Sequence, residues 1–455
     1  MHPVFADYSM KQHKKTTHLP QQALASLYIV LITYAFVACS NSEYIDYPSN
    51  IEHVVQVDDN QSTDSYSNSK TGTNDPHDPF QIKKYLPLDD SEYPYAGIPR
   101  IVIETENHQA IKDRETEIPA KLQIWGENAP ESEIMDLTIR GRGNTTWKYP
   151  KKPYAIKFNE KQKFLGMPKA KKWIMLANYR DRTLIRNALA LETARKTNQK
   201  WTPQGRFADV FLNNKFIGNY YICEKIEVKK NRLELSQNSY LLEFDIKYDE
   251  TYKFKTAYKK LPTNIKYPNT LSDSQFQDIQ NYIDTIECSL YGDCKIDEIT
   301  DYINLKSLAS FWIVQEIAQN WETLHPKSVY AYKDSILNFG PVWDFDWQTF
   351  TNKKKGFCAK YALWFYALSK KNVFREEIQK EWASYKEKSI NLVRFIDSLA
   401  NYTKMSNEMN YKIFPPYIDS DSTGDEDKNF EEAIIMLKNA YINRISELDS
   451  LFLHL

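Results

Sequence analysis

Arg140-Gly141-Arg142-Gly143-Asn144-Thr145-Thr146-Trp147, followed by Lys151-Lys152-Pro153-Tyr154-Ala155-Ile156-Lys157-Phe158, is the densest run of informative residues in the chain. Glycine lets a backbone approach a phosphate closely, and arginine or lysine beside it neutralises the charge. The same run also describes a β-turn in a basic surface strand, and Gly-x-Gly alone does not separate the two readings. Tyr154, Ile156 and Phe158 fall on one face of the strand, Ala155 and Lys157 on the other. Lys157 then meets either solvent or a cleft.

A second run starts at Asn320-Trp321-Glu322 and leads to Phe339-Gly340-Pro341-Val342-Trp343-Asp344-Phe345-Asp346-Trp347. Asp344 and Asp346 are two apart, so in a strand they share one face. Carboxylates enter aromatic surroundings when they are paired or bind a cation. Mg²⁺ favours carboxylate oxygen and is usually shared with nucleotide phosphates. Asp344 and Asp346 are therefore candidate metal ligands, with an ion-pair role as the other reading.

Around these runs the periodicity changes along the chain. Ile101-Val102-Ile103, residues 121–125 and Leu137-Thr138-Ile139 read as strands, and residues 207–212 and 216–224 as a hairpin turning at Asn213-Asn214-Lys215. Residues 183–196, 305–319 and 430–452 have helical spacing, and Asn429 with Glu432 resembles a capping box. Strands first and helices later predict an α+β protein with a small β part and a larger helical part. No internal repeat is visible. Asp419-Ser420-Asp421-Ser422-Thr423-Gly424-Asp425 imitates a calcium loop, but its twelfth position is Phe430 where a bidentate Glu is needed, so it reads as an acidic loop.

With 455 residues the chain is long enough for two or three domains, and a formal charge of −1 argues against nucleic acid as a partner. Lys11, Lys14 and Lys15 precede an apolar run from Ala23 to Ala38, shorter than the ~20 residues that span a bilayer. Cys39 directly after Ala38 matches a bacterial lipobox, with Phe36 where Leu is usual. The chain thus divides into a signal peptide over 1–38, a disordered Ser/Asp/Asn/Pro-rich tether over 39–92 that begins at an acylated Cys39, a small β-rich segment over 93–138, and the main domain over 139–455. Cys223 lies in an apolar strand and reads as a buried thiol, and Cys288 and Cys294 flank a short loop where a disulfide fits an exported chain.

The two quoted runs, together with Leu165-Gly166-Met167, residues 173–179, Arg186-Asn187, residues 220–226 and Tyr240-Leu241-Leu242-Glu243-Phe244-Asp245, resemble the spore coat protein H (CotH) kinase family, in one order from about residue 98 to 452. The resemblance implies an atypical, two-lobed kinase fold that uses ATP and Mg²⁺ to phosphorylate protein hydroxyls. It places Lys157 and Glu322 as catalytic residues. Lys157, Arg140 and Arg142 would meet the nucleotide phosphates, and Glu224 would lie near the adenine. Asp344, with Asp346, would bind the metal, and Glu192 would pair with Lys157. Glu322 stands where the family usually has Asp. The alternatives are an inactive pseudokinase acting as a surface assembly lipoprotein, and a glycan-binding lipoprotein suggested by 14% aromatic residues and 31 Tyr. Either way the expected partners are a protein and a membrane reached through a lipid anchor, at the periplasm or cell surface.

Overall fold

Seven strands close into a barrel in the computed structural model, which describes residues 80, 91–416, 418 and 423–455. These strands are β1 (Arg100–Thr105), β2 (Ile118–Trp125), β3 (Met135–Gly141), β4 (Tyr154–Phe164), β5 (Met167–Leu176), β6 (Gly205–Leu212) and β7 (Lys215–Glu224). They run in the order β1-β2-β3-β4-β5-β7-β6. Two hairpins have two-residue turns with φ > 0 at both positions: Leu165 (51°) with Gly166 (74°), and Asn213 (51°) with Asn214 (62°). That turn geometry matches the right-handed twist of the strands it joins. Closure comes from a parallel pairing of β1 with β6, Arg100 opposite Asp209 and Ile103 opposite Leu212. Inward-facing Ile103, Leu122, Ile139, Ile156, Trp173 and Val210 fill the barrel.

A second, antiparallel sheet follows, in the order β12-β11-β8-β10-β9, built from β8 (Tyr240–Phe244), β9 (Lys253–Lys255), β10 (Pro262–Tyr267), β11 (Val329–Lys333) and β12 (Leu337–Phe339). The helices are α1 (Arg186–Arg195), α2 (Asp273–Tyr291), α3 (Leu305–Ala318), α4 (Phe365–Ser369), α5 (Asn372–Ile413) and α6 (Phe430–Leu453). Helix α3 is buried along nearly its whole length, Ser307, Ser310, Gln315 and Glu316 included, as befits a central helix. Helix α5 packs on α3, α6 and strand β7, tying the helical part to the barrel.

The α+β class, with sheet first and helix later, is as expected. Apart from the segment around Asp344, each expected strand and helix is present, and the capping box of α6 forms from Asn429 and Glu432. One expectation needs correction. Residues 100–141 share one closed sheet with 154–224, so the division at 138/139 falls inside β3. The sheet-rich part is a barrel, because long-range pairing of β1 with β6 removes both free edges. Cys288 and Cys294 are joined by a disulfide, and Cys223 is a buried free thiol. Asp425, part of the imitation calcium loop, pairs with Arg186 at 2.6 Å. Cys39, the signal segment, nearly all of the tether and residues 419–422 lie outside the described residues. No described helix is long and apolar enough to cross a membrane.

Candidate active site

Strand alternation builds one wall of the site. Ala155 and Lys157 on β4 pair with Ile174 and Lys172 on β5, and all four line a cleft of about 450 Å³. Arg140, on β3, and Arg142, just beyond it, reach the same cleft. The facing wall comes from the second sheet, with Glu243, Asp245, Lys266 and Tyr330, and from Trp343 in the loop after β12. The sequence-predicted Arg140, Arg142 and Lys157 are thus brought together from separate elements.

Lys157 is half exposed and pairs with Glu117 at 3.3 Å, an exposed contact of modest strength. Glu117 also accepts the Thr138 hydroxyl at 2.9 Å, because β3 and β4 hold Thr138 opposite Lys157. The expected partner, Glu192, is elsewhere: it bonds Arg195 at 2.7 Å and Lys196 at 3.0 Å, cations three and four residues along its own helix. Glu224 also turns away from the cleft. It meets Arg232 at 2.5 Å and the Gln204 amide at 2.9 Å, and lines a separate depression with Trp201. The next residue, Lys225, lines the cleft instead. Burial, then the neighbouring Lys172, pushes its pKa down to about 8.

The acidic residues gather where the cleft meets Trp343. Asp344 and Asp346 lie in a loop, with Asp344 in the left-handed region at φ 73°, so the strand reading of this segment is replaced. Asp tolerates that conformation better than most residues. Asn187 on α1 accepts the Phe345 amide at 2.9 Å, between the two aspartates, and Arg186 Nε donates to the Thr349 carbonyl at 2.9 Å. The Arg186-Asn187 pair therefore fastens this loop to α1. Burial raises Asp344 to about 6, reinforced by the nearby Glu322 and opposed by Arg142 and Lys327. Burial, followed by the Asp344 charge, raises Asp346 to about 8.

Glu322 sits in a short 3₁₀ turn after α3, where Asn320 Oδ1 accepts its amide at 3.2 Å. Its carboxylate is close enough to Asp344 for the two charges to act on each other, but it is bonded to Lys327 at 2.5 Å. Sequence reasoning missed Glu117, Asp245, Lys225 and Lys327. Lys327 is only five residues beyond Glu322, a local signal that was readable. Glu117 depends on strand register and has no local mark.

The arrangement does not fit a divalent ion as it stands. Among the described residues no group of three His, Cys, Asp or Glu side chains is placed to hold a metal, and a lysine ammonium already answers the acidic group. The geometry defines an α+β protein with a cation-lined cleft beside an acidic cluster. The family described as CotH kinase protein matches residues 139–448, and the chain belongs to it. No curated protein matches the chain.

Proposed function

We propose that the protein is an atypical kinase that transfers the γ-phosphoryl group of ATP to a Ser, Thr or Tyr hydroxyl of another protein. One observation carries this reading: Arg140, Arg142 and Lys157, read from sequence as phosphate-binding, converge on a single cleft next to Asp344. The barrel and the helix-backed second sheet stand as its two lobes, with ATP between them. In the transfer, the acceptor oxygen bonds to the γ-phosphorus as the bond to the bridging β–γ oxygen breaks. The hydroxyl proton passes to Glu322, and ADP leaves. Arginine and lysine neutralise the phosphate charge, and positioning supplies most of the rate. Ala155 and Ile174 offer an apolar surface for the base. Cys39 is the proposed lipid anchor, which holds the domain at a membrane surface outside the cytoplasm.

A second reading, a pseudokinase used in surface assembly, is favoured by the bond between Lys327 and Glu322, which occupies the carboxylate a working base must free. Calorimetric titration with ATP tests the cleft itself. Arg142→Ala should weaken binding at least about tenfold, or ~1.4 kcal/mol, whereas Glu322→Gln should leave it unchanged because that group serves the acceptor. Equal ATP affinity in wild type and Arg142→Ala, with both folded, rejects the cleft as the nucleotide site.

A further inference from the structure

Three lysines stand in one row across the cleft face of the barrel. Lys157 on β4 lies opposite Lys172 on β5. Trp173, the next residue of β5, lies opposite Glu224 at the end of β7 and packs inside the barrel. One step beyond that pair, the same register sets Lys172 opposite Lys225. Strand alternation turns both away from Trp173 and toward the cleft, which they line together with Lys157. Neighbouring places in the row are one strand spacing apart, about 5 Å.

Like charges directly opposite one another in a sheet are destabilising. The nearby carboxylates are engaged with other lysines or with Lys157. Glu117 bonds Lys157 at 3.3 Å, and across the cleft Glu243 bonds Lys266 at 3.1 Å, with Glu250 on the same ammonium. Asp249 bonds Lys247 at 2.7 Å, and Glu227, whose charge acts on Lys225, bonds Lys229 at 3.3 Å. Among the described residues no hydrogen bond or ion pair holds the Lys172 or Lys225 ammonium. Two adjacent ammonium groups in a partly desolvated cleft repel more strongly than in water. A linear ligand with several negative charges relieves that repulsion, and phosphate oxygens are strong acceptors for such donors. Base recognition has less to stand on, because Glu224, expected beside adenine, bonds Arg232 outside the cleft.

We propose that Lys157, Lys172 and Lys225 form an oligophosphate site, which takes a chain of phosphate groups across β4, β5 and β7 and selects it by the number of phosphates, not by an attached base. The chain is the triphosphate of a nucleotide or a free oligophosphate. The proposal deepens the kinase reading, since it gives the donor's phosphates two further partners, Lys172 and Lys225. Its own test uses a ligand that has no base and stands apart from phosphoryl transfer.

The test is calorimetric titration of the full chain at pH 7, without added metal, by inorganic tripolyphosphate, pyrophosphate, ATP, GTP and AMP. Tripolyphosphate, ATP and GTP should bind within about tenfold of one another, and pyrophosphate and AMP at least about tenfold more weakly. Lys172→Met and Lys225→Met should each weaken tripolyphosphate binding at least about tenfold, whereas Lys172→Arg and Lys225→Arg, which keep the charge, should stay close to wild type. Cooperative thermal unfolding identifies any variant that fails to fold, and the two positions check each other. Equal tripolyphosphate affinity in wild type and the folded Met variants overturns the proposal, as does AMP binding as tightly as tripolyphosphate. If ATP binding is nevertheless lost in Arg142→Ala, the nucleotide site stands without the lysine row. If the Met variants lose tripolyphosphate but keep ATP at wild-type affinity, the row stands as a site for free oligophosphate, and the cleft fails as the place of the kinase's donor phosphates.

Discussion

Burial holds the Asp346 carboxyl at about 8, far above the usual aspartate value, and the neighbouring Asp344 charge adds to the shift. A carboxyl raised in the folded state binds protons more tightly there than in the unfolded chain. Its ionisation therefore destabilises the fold, with the penalty growing from about pH 4 and complete above about pH 8. Asp346→Asn removes that charge while keeping the shape. We expect the variant to be more stable than wild type by about 1 to 3 kcal/mol at pH 9 and close to it at pH 4, measured by urea unfolding at both values. A gain that is equal at both pH values, or largest at pH 4, contradicts the assignment. At this scale the sequence was informative where a side chain's place follows from strand alternation, as for Ala155 and Lys157. It was uninformative for Asp344, because a left-handed loop residue carries no periodic signal, and for Glu117, which reaches Lys157 through register.

Among the elements, helix α2 and the loop after it carry the covalent link. The Cys288–Cys294 disulfide closes a loop of six residues' separation just where α2 ends at Tyr291. Loop closure by so short a link contributes on the order of 2 kcal/mol through the unfolded chain. Cys288→Ser with Cys294→Ser should lower stability by about that amount, and a reducing agent should do the same to wild type. Thermal unfolding with and without reductant checks both, and an unchanged melting temperature in each case would deny the link any stabilising part. The elements themselves were largely legible. Apolar spacing marked α3, and the Asn429/Glu432 pair marked the start of α6. The Asn213-Asn214 turn marked the β6–β7 hairpin. The closing β1–β6 pairing was not legible, since nothing local in residues 100–103 names residues 209–212 as partners.

For the whole molecule, the barrel and the second sheet meet around a cleft whose cations come from separate parts of the chain, among them Arg114, Arg140, Arg142, Lys157, Lys225 and Lys266. Their convergence explains why widely separated motifs occur together in one sequence. The family match over residues 139–448 begins partway through the barrel, although residues 100–138 are needed to close it. The most direct measurement is transfer of label from γ-labelled ATP, with Mg²⁺ present, to the protein itself or to a generic protein acceptor. We expect label to transfer with wild type, and to be lost in Glu322→Gln and Arg142→Ala. Absence of transfer from a folded wild-type protein that binds ATP, or equal transfer by wild type and Glu322→Gln, would contradict the kinase reading and leave the pseudokinase in its place.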